Sequence, residues 1–240
     1  MEIKMSAFKQ SVTVDIHDVD YNGVAKTSSI LRYIQSAAQS QLTEKNMSYG
    51  ELKEMNRAFI LSRLNMVILK PLPAYTPLTA ISYPCESRGY TFLRCYELRC
   101  EEDTVARAIS AWALINTESR ALVRVNDFNL PISTLPPIDL ALPRIMLPSE
   151  LSDVGGYGVH YGDVDQNMHM NNTKYPDMYS NFLPLKDKMI SRIAINYSSE
   201  AAIGEKLRVK RGERDGVFYF RTVKADGVTN SEAEIELSDL

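Results

Sequence analysis

Apolar residues recur along the chain with two different periods. Helical spacing near the start predicts one long helix with an apolar stripe formed by Ile30, Ile34, Ala37 or Ala38, and Leu42. A shorter stripe, Tyr175, Met178 and Phe182, predicts a second helix that has Pro176 in its first turn. Extended segments are predicted at 11–15 and 156–161, and strands at 63–69, 78–83, 91–98, 106–115, 192–197, 207–211, 217–223 and 231–237.

The same order of elements occurs twice. Residues 18–22 and 163–167 share four of five amino acids, and further matches follow in the same order at slightly smaller offsets. A duplication with small loop deletions explains this pattern. Each copy has an extended segment, an acidic turn, a helix and then strands, which predicts an α+β fold with an antiparallel sheet wrapped on a helix. We expect domains at 1–125 and 153–240, joined by a linker at 126–152.

The predicted linker is rich in both proline and apolar residues. It holds five of the eleven prolines of the chain: Pro131, Pro136, Pro137, Pro143 and Pro148. Proline stiffens an extended segment and cannot continue a helix. Because a solvated linker would be polar, the leucines and isoleucines between these prolines predict that the linker packs along the body of the protein.

Composition narrows the class of protein. The chain has 240 residues, 45% hydrophobic and 24% charged, which is typical of a soluble globular protein. A net charge of -3 argues against a nucleic-acid-binding surface, and no apolar run approaches the ~20 residues that span a membrane. The three cysteines form no CxxC pair and the first residues show no signal or transit pattern, so we expect a cytoplasmic protein without a disulfide framework.

The densest polar cluster covers residues 163–172. Its alternate positions would share one face of an extended chain: Asp163, Asp165, Asn167, His169 and Asn171. Asn172 is the expected N-cap of the following helix, whose first N–H groups are free donors. An acid or imidazole that activates water, beside donors that polarise a carbonyl, would suit hydrolysis of an acyl group. Turn and capping chemistry is the alternative explanation. With only three histidines in the chain, a metal site is disfavoured, and no cofactor is expected.

The run at 165–175 resembles the D-x-N-x-H-x-N-N-x-x-Y signature of the acyl-(acyl-carrier-protein) thioesterase family. The resemblance covers both repeats and implies two tandem hotdog domains, each a long helix wrapped by an antiparallel sheet. It also implies hydrolysis of fatty acyl thioesters of acyl carrier protein (ACP) to free fatty acid and holo-ACP, which terminates fatty acid synthesis. The implied catalytic residues are Asp165, Asn167, His169 and Glu200, and we expect Asn171 and Asn172 to bind substrate.

Glu200 comes from a second element of the same family, an acid in a strand, which residues 195–200 resemble. Plant members have a cysteine directly after this acid, whereas this chain has Ala201. The difference favours attack by water over a thiol nucleophile. We expect Glu200 to be the base and Asp165 to orient its partners, with direct attack by Asp165 as the alternative.

The first copy keeps only part of this pattern. Asp20 and Asn22 match Asp165 and Asn167, but Val24 and Pro71 take the places of His169 and Glu200. We therefore expect the first copy to be non-catalytic and to bind the acyl chain, with Asp20 and Asn22 serving turn chemistry. The candidates to line an acyl tunnel are Met5, Met47, Met55, Phe59 and Met66.

The expected partner is an acyl carrier protein, which is acidic as a class. Lys206, Arg208 and Lys210 alternate with apolar residues, which predicts a strand with one basic face for docking. A charge-protected edge strand is the alternative, and a homodimer is left open. The rival functions are an acyl-CoA thioesterase, a hotdog hydratase or dehydratase, and a non-catalytic acyl-thioester binder.

Overall fold

The computed structural model describes residues 7–240 and has an α+β fold. Met5 lies outside the described residues. The first copy contains β1 (Phe8–Thr13), α1 (Thr27–Glu44), α2 (Tyr49–Glu54), β2 (Arg57–Ile68), β3 (Pro77–Pro84), β4 (Thr91–Cys100), β5 (Asp103–Asn116) and the short β6 (Leu122–Val123). The second contains β7 (Ser152–Gly158), α3 (Tyr175–Ser180), β8 (Lys188–Tyr197), β9 (Lys206–Arg214), β10 (Val217–Val223) and β11 (Thr229–Asp239). All ten predicted extended segments and strands are confirmed as strands, with ends shifted by a few residues.

The strands form a single antiparallel sheet in which the two copies are mirrored. Its order is β1-β3-β4-β5-β2-β8-β11-β10-β9-β7, and β6 pairs with β5 at the side. The copies meet where β2 pairs with β8, from Arg63 opposite Asn196 to Val67 opposite Arg192. Backbone hydrogen bonds therefore continue from one copy into the other, which fixes the position of each copy relative to its partner.

The long first helix is confirmed, and it lies against the sheet of its own copy. Ile30, Leu31, Ile34 and Ala37 are all buried in the main core. The small side chain of Ala37 lets the helix approach the sheet closely. Burial of this stripe stabilises the helix more than its local sequence does, since helices gain most of their stability from packing an apolar face.

The second helix is much shorter than the first, so the expectation of a long helix in each copy is wrong for the second. A 3-10 turn at Asn172–Lys174 leads into the six residues of α3, and Phe182 lies beyond its end. Pro176 occupies the first turn, as predicted. The helix is nevertheless anchored, because Met178 and Tyr179 are completely buried.

Residues 126–152 run across the outer face of the sheet. Leu135, Ile138, Leu140 and Leu142 pack against a buried cluster of the first copy that includes Ile81, Tyr83, Cys95 and Ile109. Further on, Ile145 packs with Ala194 and Tyr219 of the second copy. The helices pack on the opposite face of the sheet. This segment therefore covers apolar residues that the helices do not cover. In residues 7–240, no helix combines the length and apolar character needed to cross a membrane.

Candidate active site

The segment that carries the polar cluster is a tight loop. The N–H of Asp165 donates to the carbonyl of His169 (3.1 Å), and the N–H of Met168 donates to the carbonyl of Asp165 (2.9 Å). Met168 adopts a positive φ of 64°. The expected extended chain with alternate residues on one face is therefore wrong. Asp163 lies apart in a 3-10 turn, where its carboxylate accepts hydrogen bonds from the Tyr157 hydroxyl and the His160 N–H.

The first copy contains the same loop. The N–H of Asp20 donates to the carbonyl of Val24 (2.9 Å), and Gly23 has a positive φ of 77°. Val24 pairs with Pro73 in an isolated bridge, as His169 pairs with Ala202. Counting back two residues from each bridge partner places Pro71 where the second copy has Glu200, which agrees with the alignment made from sequence.

His169 and Glu200 lie side by side at the surface of the second copy. Nδ1 of His169 is 3.5 Å from Oε2 of Glu200, and both side chains are partly exposed. Glu200 lies in the loop after β8 and not on a strand, which corrects the expectation. Nη2 of Arg120, from a turn of the first copy, lies 3.9 Å from the same carboxylate oxygen.

Hydrogen bonds to a buried asparagine fix the loop that carries Glu200. The carbonyl of Asn230 accepts hydrogen bonds from the N–H groups of Ser198 (2.9 Å) and Ser199 (3.0 Å). Its side-chain Nδ2 donates to the Tyr175 hydroxyl (3.1 Å). Lys224 Nζ donates to the carbonyl of Glu200 itself (2.7 Å). The position of the acid is thus set by hydrogen bonds to the backbone of its loop, from Asn230 and from the Lys224 side chain.

Asp165 makes its side-chain contacts within its own loop. Oδ1 accepts from the N–H of Asn167 (2.8 Å), and Oδ2 accepts from Nδ2 of Asn171 (3.4 Å). Within residues 7–240, its carboxylate has no hydrogen bond to the side chain of His169 or Glu200. The structure therefore separates the predicted catalytic residues into a His169–Glu200 pair and an Asp165 turn.

The asparagines of the cluster have distinct positions. Oδ1 of Asn167 accepts a hydrogen bond from the Tyr49 hydroxyl of the first copy (2.9 Å). Oδ1 of Asn171 accepts from the N–H (2.9 Å) and hydroxyl (2.7 Å) of Thr173, so the N-cap is Asn171 and not Asn172 as expected. Asn172 instead gives its backbone carbonyl to the Tyr197 hydroxyl (3.1 Å).

A cavity of about 730 Å³ extends from the first copy to the loop of the second copy, and its lining does not include Asp165, His169 or Glu200. Asn167, Asn171 and Thr173 line its end in the second copy, whereas Asn172 does not. The rest of the lining comes from α1, α2, the starts of β2 and β4, the end of β3 with the residues that follow it, Trp112 of β5, and the segment after β6. Phe59 lines the cavity as expected. Met47, Met55 and Met66 do not: Met66 is fully buried in the core, and Met55 is exposed.

The matching position in the first copy has a smaller cavity of about 290 Å³, lined in part by Asp20, Val24 and Pro71. Asn22 does more than serve a turn. Its Nδ2 donates to the carbonyls of Leu185 (2.8 Å) and Lys188 (3.0 Å), so it ties the first copy to the second. Asp20 accepts from the N–H of Asn22 (2.8 Å), which is turn chemistry as predicted.

Four residues that contact the site were missed from the sequence: Tyr49, Arg120, Lys224 and Asn230. None belongs to the signature, and Tyr49 and Arg120 come from the other copy. Tyr49 and Arg120 lie near the site only because β2 pairs with β8, and no local sequence pattern predicts that pairing.

The predicted basic strand is β9. Leu207 and Val209 are buried, and Lys206 and Arg208 are exposed, as the alternation predicts. β9 pairs with β10 and with β7, so the alternative of an edge strand is wrong. Nε of Arg208 lies 3.8 Å from Oδ1 of Asp153, which neutralises part of the positive charge, whereas Lys206 is the first residue of β9.

The mirrored halves, each with a helix on an antiparallel sheet, define a tandem hotdog protein. Model matches to the acyl-ACP thioesterase N-terminal domain (residues 5–130) and C-terminal domain (residues 148–239) show that the chain belongs to the acyl-ACP thioesterase family.

Solved structures with the same fold include an acyl-ACP thioesterase from Bacteroides thetaiotaomicron, which is 18% identical with a TM-score of 0.88 and coverage of 97% of this chain and 98% of that one. The 12:0-ACP thioesterase from Umbellularia californica is 15% identical with a TM-score of 0.84, and 98% of each chain is covered. The chain is also 23% identical over 195 residues to the chloroplastic oleoyl-acyl carrier protein thioesterase 2 of Arabidopsis thaliana. That match covers 70% of this chain and 52% of the relative, so the chain spans about half the length of that curated relative.

Proposed function

We propose that the protein hydrolyses fatty acyl-ACP thioesters to free fatty acid and holo-ACP, and so terminates fatty acid synthesis in the cytoplasm. The observation that carries this proposal is the cavity that extends from the first copy to Asn167 and Asn171, in the loop that also carries His169. A fatty acyl chain in this cavity would bring its thioester carbonyl to the loop of the second copy. Family membership and the names of the relatives support the same reaction.

In the proposed mechanism, Glu200 takes a proton from a water molecule while the water oxygen attacks the thioester carbonyl. Collapse of the tetrahedral intermediate breaks the C–S bond, and the pantetheine sulfur leaves as a thiol after protonation. Glu200 suits the base because its carboxylate is open to solvent, whereas both oxygens of Asp165 are used within a turn. His169 would orient Glu200 and pass on the proton, and Asp165 would hold the loop.

Asn167 is suited to polarise the carbonyl. Because the Tyr49 hydroxyl donates to Oδ1 of Asn167, the amide is oriented and its NH₂ group is turned away from Tyr49. An oriented donor stabilises the negative charge that develops on the carbonyl oxygen in the transition state. The first turn of the second helix contributes less than expected, since the N–H groups of Thr173 and Lys174 already bond Asn171.

We propose that domain 1–125 binds the acyl chain and that domain 153–240 carries out catalysis. The position of the larger cavity and of the His169–Glu200 pair supports these roles. Lys206, Arg208 and Lys210 are proposed as the docking surface for the acidic carrier protein, and Asn171 and Asn172 as substrate-binding residues. Asn171 has the stronger support because it lines the cavity. A homodimer remains an additional proposal that analytical ultracentrifugation would test.

The decisive experiment measures thiol release from a series of acyl-ACP substrates of increasing chain length, with acyl-CoA thioesters of the same lengths in parallel. Thiol release that is faster from ACP than from CoA supports the proposal. Formation or loss of enoyl absorbance without thiol release would indicate a hydratase or dehydratase. Binding without any turnover would indicate an acyl-thioester binder.

A further inference from the structure

Arg94 is a buried cation in the acyl cavity. It lies on β4, is 7% exposed and lines the cavity. One nitrogen, Nη1, donates to Oε1 of Gln41 on α1 (2.8 Å) and to Oγ of Ser82 on β3 (2.7 Å). Both acceptors are neutral, so they satisfy hydrogen bonds without balancing the charge.

No carboxylate among residues 7–240 forms an ion pair with Arg94. Burial lowers the pKa of the guanidinium, and the ionisable groups that oppose this shift are the Tyr96 phenol and the Cys85 thiol, which are uncharged at neutral pH. Glu86 also lines the cavity, but its carboxylate is largely exposed and pairs with Arg88. Burying a charge without an opposite charge is costly, so this arrangement needs a reason other than stability.

The other edge of the guanidinium has access to the cavity. Nε and Nη2 have no hydrogen-bond partner in the described part of the chain. Neither nitrogen is fully enclosed by protein atoms. These two nitrogens form the edge that binds a carboxylate with two parallel hydrogen bonds. The charge, the free edge and the position in a substrate cavity all call for an anionic oxygen ligand.

We propose that Arg94 binds a carboxylate at the far end of the acyl chain, so that the cavity accepts acyl groups derived from dicarboxylic acids in preference to acyl groups with a terminal methyl. This inference rests on the proposed hydrolysis of acyl thioesters and names a substrate class for it. Where an acyl chain reaches Arg94, a terminal methyl would leave the guanidinium charge unpaired. A terminal carboxylate would balance this charge and accept hydrogen bonds from Nε and Nη2.

Binding can be measured without turnover, because Trp112 is the only tryptophan of the chain and lines the same cavity. The probes are a series of medium-chain dicarboxylic acid monomethyl esters, compared with the methyl esters of the matching monocarboxylic acids. In each pair the two molecules differ only at the far end. We expect the monomethyl ester to change Trp112 fluorescence at a concentration roughly 10-fold lower or more, as for one charge-assisted pair of hydrogen bonds.

Arg94→Met removes the guanidinium with little change in volume and should abolish the difference within each pair. Arg94→Lys keeps a charge without the two-nitrogen edge and should reduce it. Arg57→Met is the matched control, because Arg57 lines the same cavity but donates to the backbone carbonyls of Met55 and Asn56; it should keep the preference. Equal binding of both esters by the wild type, or a preference that persists in Arg94→Met, would overturn the inference.

Thiol release from the corresponding acyl-ACP substrates separates this inference from the proposed function. Hydrolysis of methyl-terminated chains alone, with no carboxylate preference in the fluorescence titration, keeps the function and rejects the role of Arg94. A carboxylate preference in binding without hydrolysis of any substrate rejects the function and keeps the binding site.

Discussion

Nδ1 of His169 lies 3.5 Å from Oε2 of Glu200, and backbone contacts fix both residues. His169 pairs with Ala202 in an isolated bridge, and the backbone of Asn230 holds the two residues before Glu200. Backbone contacts therefore position the two residues, and their partly exposed side chains are not needed to stabilise the fold. Their removal can be examined with the rest of the protein intact.

We predict that Glu200→Gln or His169→Ala lowers turnover by ~10²–10⁴, the range expected for loss of general acid–base catalysis. The melting temperature should stay near the wild-type value, because neither side chain is buried. The rates are measured by thiol release, with Glu213→Gln on β9 as a control for the loss of an exposed acid in the same copy. A Glu200→Gln variant that keeps most of its activity would show that another group is the base.

Asp20 and Asp165 provide a comparison between the two copies. Each carboxylate accepts the N–H two residues ahead, at 2.8 Å in both loops. Replacement of either by Ala should cost a similar ~0.5–2 kcal/mol of stability, as for loss of a capping side chain. Only Asp165→Ala should also reduce turnover per folded molecule, because only its loop carries His169. Equal losses of rate in thermally matched preparations would mean that the first copy contains a working site.

Charge reversal on β9 tests docking. The triple variant Lys206→Glu, Arg208→Glu and Lys210→Glu should weaken hydrolysis of acyl-ACP more than hydrolysis of a small acyl-thioester analogue. The difference should shrink as salt rises, since exposed charges are screened over ~8 Å at physiological ionic strength. Lys186→Glu, an exposed reversal in the loop before β8, is compared with the single variant Lys206→Glu as a control with the same change in net charge. Losses of equal size on both substrates would indicate damage to the fold.

Acid stability should depend on Asp18. Burial acts to raise the pKa of this carboxyl, but hydrogen bonds from Tyr33 and Ser29 together with the Arg32 guanidinium outweigh it and hold the pKa below its usual range. Ionisation is thus favoured in the folded state, so the stabilisation is complete above the unfolded-state pKa of about 4 and is lost as pH falls through the folded pKa. Denaturant unfolding of the wild type and Asp18→Asn should differ at neutral pH and converge in acid. A difference that does not depend on pH would reject the ionic explanation.

Thiol reagents should act slowly. Cys85 is buried and its S–H donates to Sγ of Cys95 (3.2 Å), which together with burial raises the pKa of the Cys85 thiol. Turnover should therefore survive brief exposure to a small alkylating reagent, as expected for attack by water. Because Cys85 lines the cavity, its slow modification would block the acyl chain. Cys85→Ala distinguishes this from catalysis: a variant with full activity and resistance to the reagent supports the steric explanation, and an inactive, folded variant contradicts it.

The sequence predicted those parts of the fold that local patterns determine. The α1 stripe, the strands and the signature all have short-range spacings, and the duplication repeats them in the same order later in the chain. The prediction of an extended face at residues 163–171 failed because a hairpin-like loop uses the backbone of Asp165 and His169 for its own hydrogen bonds. The length of the second helix was also wrong, since three apolar residues at helical spacing do not show where the helix ends.

The environment of the site could not be predicted from local patterns. Tyr49 and Arg120 reach it from the first copy, and their positions depend on pairing between β2 and β8. The cavity lining differs from expectation for a similar reason. Met66 faces the core and not the cavity, and this depends on the register of β2 in the sheet.

The junction of β2 with β8 places two separately encoded hotdog units where a symmetric dimer would have two identical ones. In a symmetric dimer, every amino-acid change appears at both sites, so a longer helix for one site cannot be combined with a histidine found only at the other. Covalent fusion removes this restriction. One unit has an 18-residue α1 and a large cavity, and the other has a six-residue α3 and the His169–Glu200 pair. Separate encoding thus allows the proposed recognition of the acyl chain and the proposed bond cleavage to be altered by different amino-acid changes.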